Sequence, residues 1–242
     1  MFLIRTLHKW FGLVLGLQML LWSVSGAMMA LLDHHRVSGE GSLREAAPVM
    51  LPAQTLPLSQ AAAAVGEPVL RLRLKPLGQG HVYEATTPSG VKLLDALTGA
   101  PVTIDAAKAG ALAAAAFAGP EGVASIRRVE KHDVESRTAQ LPAWRVEFAD
   151  KEKTTLFMSA ASGEMVLLRN DTWRLWDVFW MIHIMDYTKR ESFNHPLIVT
   201  VGTGVTWLAL SGMILLFRSF RRQDFAYVLD PIDRLREGRS KG

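Results

Sequence analysis

The chain has 242 residues and a mass of 26.7 kDa, is 49% hydrophobic with much of that gathered into two blocks, and contains no cysteine. That composition excludes a disordered chain, and the missing thiols exclude a disulfide framework, a thiolate zinc site, an iron–sulfur cluster and covalently attached haem. A formal charge of +4 and a pI near 9.5 invite a nucleic-acid partner, an expectation that depends on where the basic residues lie.

Residues 1–9 form a short N-terminal segment carrying Arg5 and Lys9. Trp10 to Leu32 then runs without one charge. As a helix at 1.5 Å per residue it is about 34 Å long, enough for a bilayer core, so residues 10–32 are expected to be a transmembrane helix. A cleaved signal peptide is the alternative. Its apolar region would be shorter, and Ser25-Gly26-Ala27 sits inside a run that continues to Leu32.

Residues 33–57 read as a Gly/Ser/Pro-bearing linker. Leu58 to Val65 is a short helix with Ser59 available as its cap, and Val69 to Pro76 alternates apolar and basic residues as a strand does. His81 to Thr87 and Val91 to Asp95 are further strands, the latter leading through a Thr98-Gly99 turn to Pro101-Val102. The same order recurs, with Ala106 to Ala118 as an alanine-rich helix, Ser125 to Val134 and Trp144 to Phe148 as strands, and Thr154 to Leu168 closing the unit. Lys92 to Val102 aligns with Thr155 to Val166, so that Asp95…Thr98-Gly99 falls on Ser159…Ser162-Gly163. Repeats at 58–102 and 103–170 are each too small to bury much core alone, and are expected to pair into one α+β domain.

Residues 171–190 contain Trp173, Trp176, Trp180 and His183 at three- and four-residue steps, a pattern for an amphipathic helix lying on a membrane surface. Pro196 to Phe217 is a second uncharged block and a second expected transmembrane helix, with Pro196 suited to its first turn and Thr200, Thr203, Thr206 and Ser211 able to bond back to the helix. A basic tail, 218–242, follows and is expected to rest on anionic lipid. Arg5 and Lys9 before the first block and Arg218, Arg221 and Arg222 after the second predict cytoplasmic termini and an exported middle. With those flanks removed the chain is close to neutral, so its basicity belongs to the membrane boundaries. No nucleic-acid partner is expected.

The helix followed by a meander, whose last hairpin reads apolar-Asp/Ser-x-x-Thr/Ser-Gly-x-x-Val, resembles the PepSY module in two copies. The flanking blocks resemble those of PepSY-associated transmembrane proteins: Arg5-Thr-Leu-His8-Lys-Trp10-Phe-Gly12 matches an R-x-x-H-x-W-x-G opening, Met181-Ile-His183 an apolar-His pair, and Leu210-Ser211-Gly212 a Ser/Thr-Gly motif. The expected class is therefore a membrane protein with two transmembrane α-helices flanking an exported α+β domain of two PepSY-like repeats.

Five of the seven histidines, His8, His34, His35, His183 and His195, lie near an expected membrane boundary. Ionisable groups there are costly, and neutral imidazole is an axial ligand of haem iron, which needs an apolar slot and no cysteine. His8, Gly12 and Gly16 share a helical face on which a flat macrocycle could approach the backbone, although the same spacing suits helix packing and an interfacial belt. His34 and His195, at the ends of the two spans, are candidate partners of His183, while His35 is expected to point elsewhere. About 34 Å of helix separates His8 from His183, so one iron between them would require His183 to fold deep into the bilayer. A twofold dimer would instead pair His8 with its own copy in a four-helix assembly. His81 and His132 read as solvated strand ends.

The resemblance implies haem b as cofactor, with iron held through His8 and His183 and with His34 and His195 as further cofactor-binding candidates. It also implies a bacterial inner-membrane electron-transfer or reductase subunit similar to siderophore-iron reductases, an oxidoreductase if the chain is itself catalytic. Its partners would be the bilayer, a second copy or another membrane subunit, and a periplasmic electron acceptor or iron complex. The alternative is a non-enzymatic anchor whose exported domain binds a peptide, a protease or another envelope protein by strand addition or docking. No H-E-x-x-H, G-x-S-x-G, G-x-G-x-x-G or P-loop pattern is present to support a hydrolase, kinase or nucleotide-binding reading.

Overall fold

A computed structural model describes residues 2–45, 50 and 52–219. The basic tail, from residue 220 on, and part of the linker therefore lie outside the described residues. Helix α1 covers Phe2–Leu31, eight residues earlier than the apolar block alone suggests. Nothing in Phe2–Lys9 stops a helix, since no proline or glycine precedes Gly12. His8 consequently sits within the helix rather than ahead of it. Helix α2 (His34–Ser38) is capped at its start by Asp33, which accepts from the His35 backbone N–H, and at its end by Gly39 in the left-handed conformation.

Helix α3 (Leu58–Ala64) precedes strands β1 (Arg71–Leu77), β2 (Gly80–Thr87), β3 (Gly90–Asp95) and β4 (Pro101–Val102), which form an antiparallel meander in that order. Helix α4 (Ala106–Ala116) precedes a second meander of β5 (Val123–Val129), β6 (Ala143–Phe148), β7 (Thr155–Ser159) and β8 (Met165–Arg169). The same element order thus occurs twice. Strand β5 ends at Val129, short of the expected Val134, because Asp133 and Ser136 close a side-chain-bonded turn just beyond it. Helices α5 (Asp171–Ile184) and α6 (Pro196–Ser219) are the last elements of the described residues. Helix α5 stops at Ile184, where Met185 takes a left-handed φ of 58°, so the expected helix over 171–190 is shorter.

Two compact units result. Of the described residues, one contains 2–25, Ile182–Asp186 and 191–219; the other is drawn from Gly26–Met181 with Tyr187–Arg190. In the first, α1 and α6 run antiparallel. Phe11 meets Trp207 with ring centroids 4.9 Å apart, Gly12 faces Leu208, and Gly204 faces Leu15 so closely that a Cβ on it would lie 3.0 Å from Leu15 Cδ1. Small residues let the two backbones approach. Most other apolar side chains point away from the pair, with Leu13 and Val14 71% and 70% exposed. Both helices are long and apolar enough to cross a membrane. Thr203, Thr206 and Ser211 bond back to carbonyls of their own helix, which satisfies hydroxyls that apolar surroundings would otherwise strand.

In the second unit the main core draws on both meanders: Val82 and Leu93 from the first meet α4 through Ala109 and Ala113, and Val146, Phe148, Leu156 and Met158 from the second. Phe117 stacks on Phe148 at 4.1 Å. Alternation along β1 and β2 sends Leu72, Leu74, Tyr83 and Ala85 to the opposite face, where Ala61 and Val65 of the α3 segment cover them. Arg73, Lys75 and Glu84 are left on the side of the second meander. Lys75 Nζ there meets Glu84 Oε2 at 2.5 Å, the Ser162 carbonyl at 2.9 Å and Glu164 Oε1 at 3.0 Å.

Candidate functional site

Within the helical unit α6 brings two residues to His8. Ser211 Oγ lies 2.8 Å from His8 Nδ1, and a Cβ on Gly212 would lie 2.9 Å from the ring's Cε1, so the imidazole edge rests on bare backbone. The other histidine of interest ends α5. Its Nδ1 lies 3.1 Å from Ser25 Oγ of α1, which is fully buried. Neither ring has a hydrogen-bond partner at Nε2 among the described residues. His8 and Ser25 are separated along α1 by about 25 Å at 1.5 Å per residue, so the two imidazoles belong to two levels of the helical unit.

His195 is placed differently. Its Nε2–H donates to the Ile184 carbonyl at 3.0 Å, tying the start of α6 to the end of α5. His34 is exposed on α2 with its ring 6.3 Å from that of His35, and His35 Nδ1 pairs with Glu40 at 3.1 Å. His81 and His132 bond to the carbonyls of Met50 and Ser136. Gly12 packs against Leu208 and a Cβ on Gly16 would meet nothing, so of the two glycines read as a macrocycle cradle one is used for helix packing.

The tryptophan stripe of α5 also divides. Trp173 is buried, with the guanidinium carbons of Arg169 and Arg137 at 4.0 Å and 5.3 Å from its ring, and only Trp176 and Trp180 stack on each other, at 5.4 Å. Burial, and then the charge of Arg137, pull the Arg169 guanidinium down to about 10. On the same helix Asp177, 1% exposed, accepts from Arg137 Nη2 and Arg190 Nη1, each at 2.6 Å. Neither that triad nor Ser25 was singled out as a site from sequence, and Ser211 entered only through the Ser/Thr-Gly motif and as a hydroxyl able to bond back to its own helix, with no link to His8. Hydroxyls inside the uncharged blocks were the available signal, because each needs a partner there, but Ser23 stands two residues from Ser25 and three threonines share the block of Ser211, so the sequence did not single out which hydroxyl meets a histidine.

Among the described residues no group of three or more His, Asp or Glu side chains is placed to hold a metal ion. Haem makes a smaller demand, one or two axial nitrogens on an apolar wall. A half-buried imidazole with its Nδ1 side occupied and Nε2 unpartnered, on a helix pair whose outer surface is apolar, fits that demand at each level. Comparison with models of known families, with curated proteins and with solved structures finds no match for this chain.

Proposed function

We propose that this chain is a haem-binding electron-transfer or reductase subunit of a bacterial inner membrane, its two apolar helices spanning the bilayer with both termini cytoplasmic and the α+β unit exported. One observation carries the reading: each level of the helical unit presents one imidazole whose Nδ1 is engaged and whose Nε2 has no partner among the described residues. The resemblance of the motifs around His8, His183 and Ser211-Gly212 to PepSY-associated membrane proteins supports it. His8 would hold haem iron at the cytoplasmic level and His183 at the exported level. Haem b, when bound, supplies reversible one-electron chemistry. The chain's own residues ligate, orient the rings and keep water from the apolar wall.

Because each level offers a single such nitrogen, a twofold pair of chains would complete two-histidine ligation with His8 meeting its own copy, and His183 likewise. His34 and the Nδ1 of His195 would be further candidate ligands at the exported level. Electrons from a cytoplasmic donor would leave at that side to a periplasmic acceptor or iron complex.

Detergent-solubilised protein from haem-replete cells is expected to show a Soret band that shifts on dithionite addition, with stoichiometric haem by quantitation. His8→Ala and His183→Ala are each expected to remove part of it, and the double variant all of it. Folded, colourless protein that cannot be reconstituted would overturn the proposal.

The second reading, a non-enzymatic anchor, is favoured by a feature of the α+β unit. Among the described residues strand β4 pairs with Leu93 and Leu94 of β3, and no strand pairs with Gly90–Lys92 on that side. A groove of about 600 Å³ runs beside it, lined by Val91, Lys92, Val102 and Arg128 among others. An extended peptide could add there by backbone pairing.

A further inference from the structure

The hydroxyls beside the two histidines have a property that distances alone do not exhaust. Each serine has one hydroxyl hydrogen to give. Ser211 Oγ lies 3.0 Å from the Leu208 carbonyl, and Ser25 Oγ lies 2.6 Å from the Leu21 carbonyl and 3.2 Å from that of Trp22. A carbonyl only accepts, so a hydroxyl that donates to it turns a lone pair toward the imidazole and must accept a hydrogen bond from it. The neutral ring then carries its hydrogen on Nδ1.

The opposite arrangement, in which the hydroxyl donates to Nδ1, makes one hydrogen bond in place of two. It also leaves an Nε2–H with no acceptor among the described residues, and an orphaned N–H is rarer in proteins than an under-used acceptor. The same relay occurs twice with the helices exchanged: α6 supplies the serine for the histidine of α1, and α1 supplies it for the histidine of α5.

We propose that Ser211 and Ser25 are positioning residues which lock His8 and His183 in the Nδ1–H tautomer, the reverse of the form free histidine prefers, and so keep the Nε2 lone pair directed at a ligand. Gly212 completes the lock at His8, because its missing side chain lets Cε1, the atom between the two nitrogens, lie against α6. That the ligand is haem rests on the function proposed above; the tautomer does not. Imidazole donating through Nδ1 is more basic at Nε2, and loss of such an outer partner typically weakens a metal–histidine site about 10–100-fold.

The test uses the full chain, free of haem, in detergent micelles with ring-labelled histidine, read by nitrogen and carbon NMR. Expected are Nδ1–H signatures for His8 and His183 in the unaltered protein. Ser211→Ala should turn His8 toward the Nε2–H form and leave His183 unchanged, Ser25→Ala should do the converse, and Ser211→Thr should retain the original state. Nε2–H signatures in the unaltered protein, a reading that needs no variant to fold, would overturn the proposal, as would alanine variants without effect.

Titration with haem separates the two ideas. Weaker binding, about 10–100-fold, in each serine variant supports both. Tautomers as expected in protein that takes up no haem would remove the functional reading and leave the positioning role standing. Haem binding with tautomers indifferent to the serines would do the reverse.

Discussion

Asp177 illustrates what a single side chain contributes. It sits on α5 among tryptophans, 1% exposed, and two guanidiniums share its carboxylate. The Arg137 side chain is itself only 11% exposed, so removing the carboxylate strands a largely covered cation rather than deleting a contact. Asp177→Ala is expected to destabilise the α+β unit by about 3–5 kcal/mol, measured as a lowered unfolding midpoint by circular dichroism. A smaller effect belongs to Gly163. Its φ is +69° and a Cβ there would lie 2.8 Å from Leu77 Cδ1, whereas Gly90, at φ +131°, has open space around it. Gly163→Ala should cost about 1–3 kcal/mol from backbone strain and, beyond what Gly90→Ala costs, from the clash with Leu77. The Gly99 turn of the first meander has the same geometry, with φ +72° and its N–H bonded to the Asp95 carbonyl as that of Gly163 is to Ser159. Turn chemistry of this kind was legible from Asp95…Thr98-Gly99 and Ser159…Ser162-Gly163, because it depends on residues within four positions of one another.

Among elements, the two meanders are joined by charge as well as by apolar packing. Burial works against the Glu84 carboxylate, but hydrogen bonds from Arg73 and Lys75 outweigh it and hold the group below its ordinary 4.5. Asp133 is held below 3.8 in the same sense, its burial overcome by Ser136 and by Arg145. A carboxylate depressed on folding adds stability that is whole above its unfolded pKa and is lost as pH falls through the folded value. Thermal stability should therefore hold from neutral pH down to about 5 and decline steeply below about 4. Glu84→Gln should lower stability at pH 7 and flatten the acid limb, a comparison made by melting both proteins across that range. The alternation of VLRLRLKP signalled that Arg73 and Lys75 share a face of β1. It carried no sign that Glu164, some 90 residues on, would meet them. Helix α1 departs from expectation for a local reason: its polar first turns have no breaker, so Phe2–Leu31 is one helix and His8 is fixed to the same rod as Ser25.

At the scale of the whole molecule, the proposed topology is open to a direct test because the chain has no native cysteine to confuse labelling. Lys131→Cys, on the α+β unit, should react with a membrane-impermeant maleimide added to intact spheroplasts, and Ser240→Cys should react only after lysis. The reverse pattern would place the termini outside and remove the assignment of His8 to the cytoplasmic level. What the sequence by itself determined is whatever depends on near neighbours: two uncharged blocks long enough to span a bilayer, two helix-and-meander units, and the glycine turns that close them, since periodicity and turn chemistry act over a few residues. Only the tertiary structure decided which groups meet. His8 and Ser211 are 203 positions apart and His183 and Ser25 are 158 apart, His195 gives up its Nε2 to a backbone carbonyl, and Asp177 is buried between arginines. Such pairings follow from how packed helices and sheets bring distant positions to one place, and a hydrogen bond leaves no periodic trace along the chain.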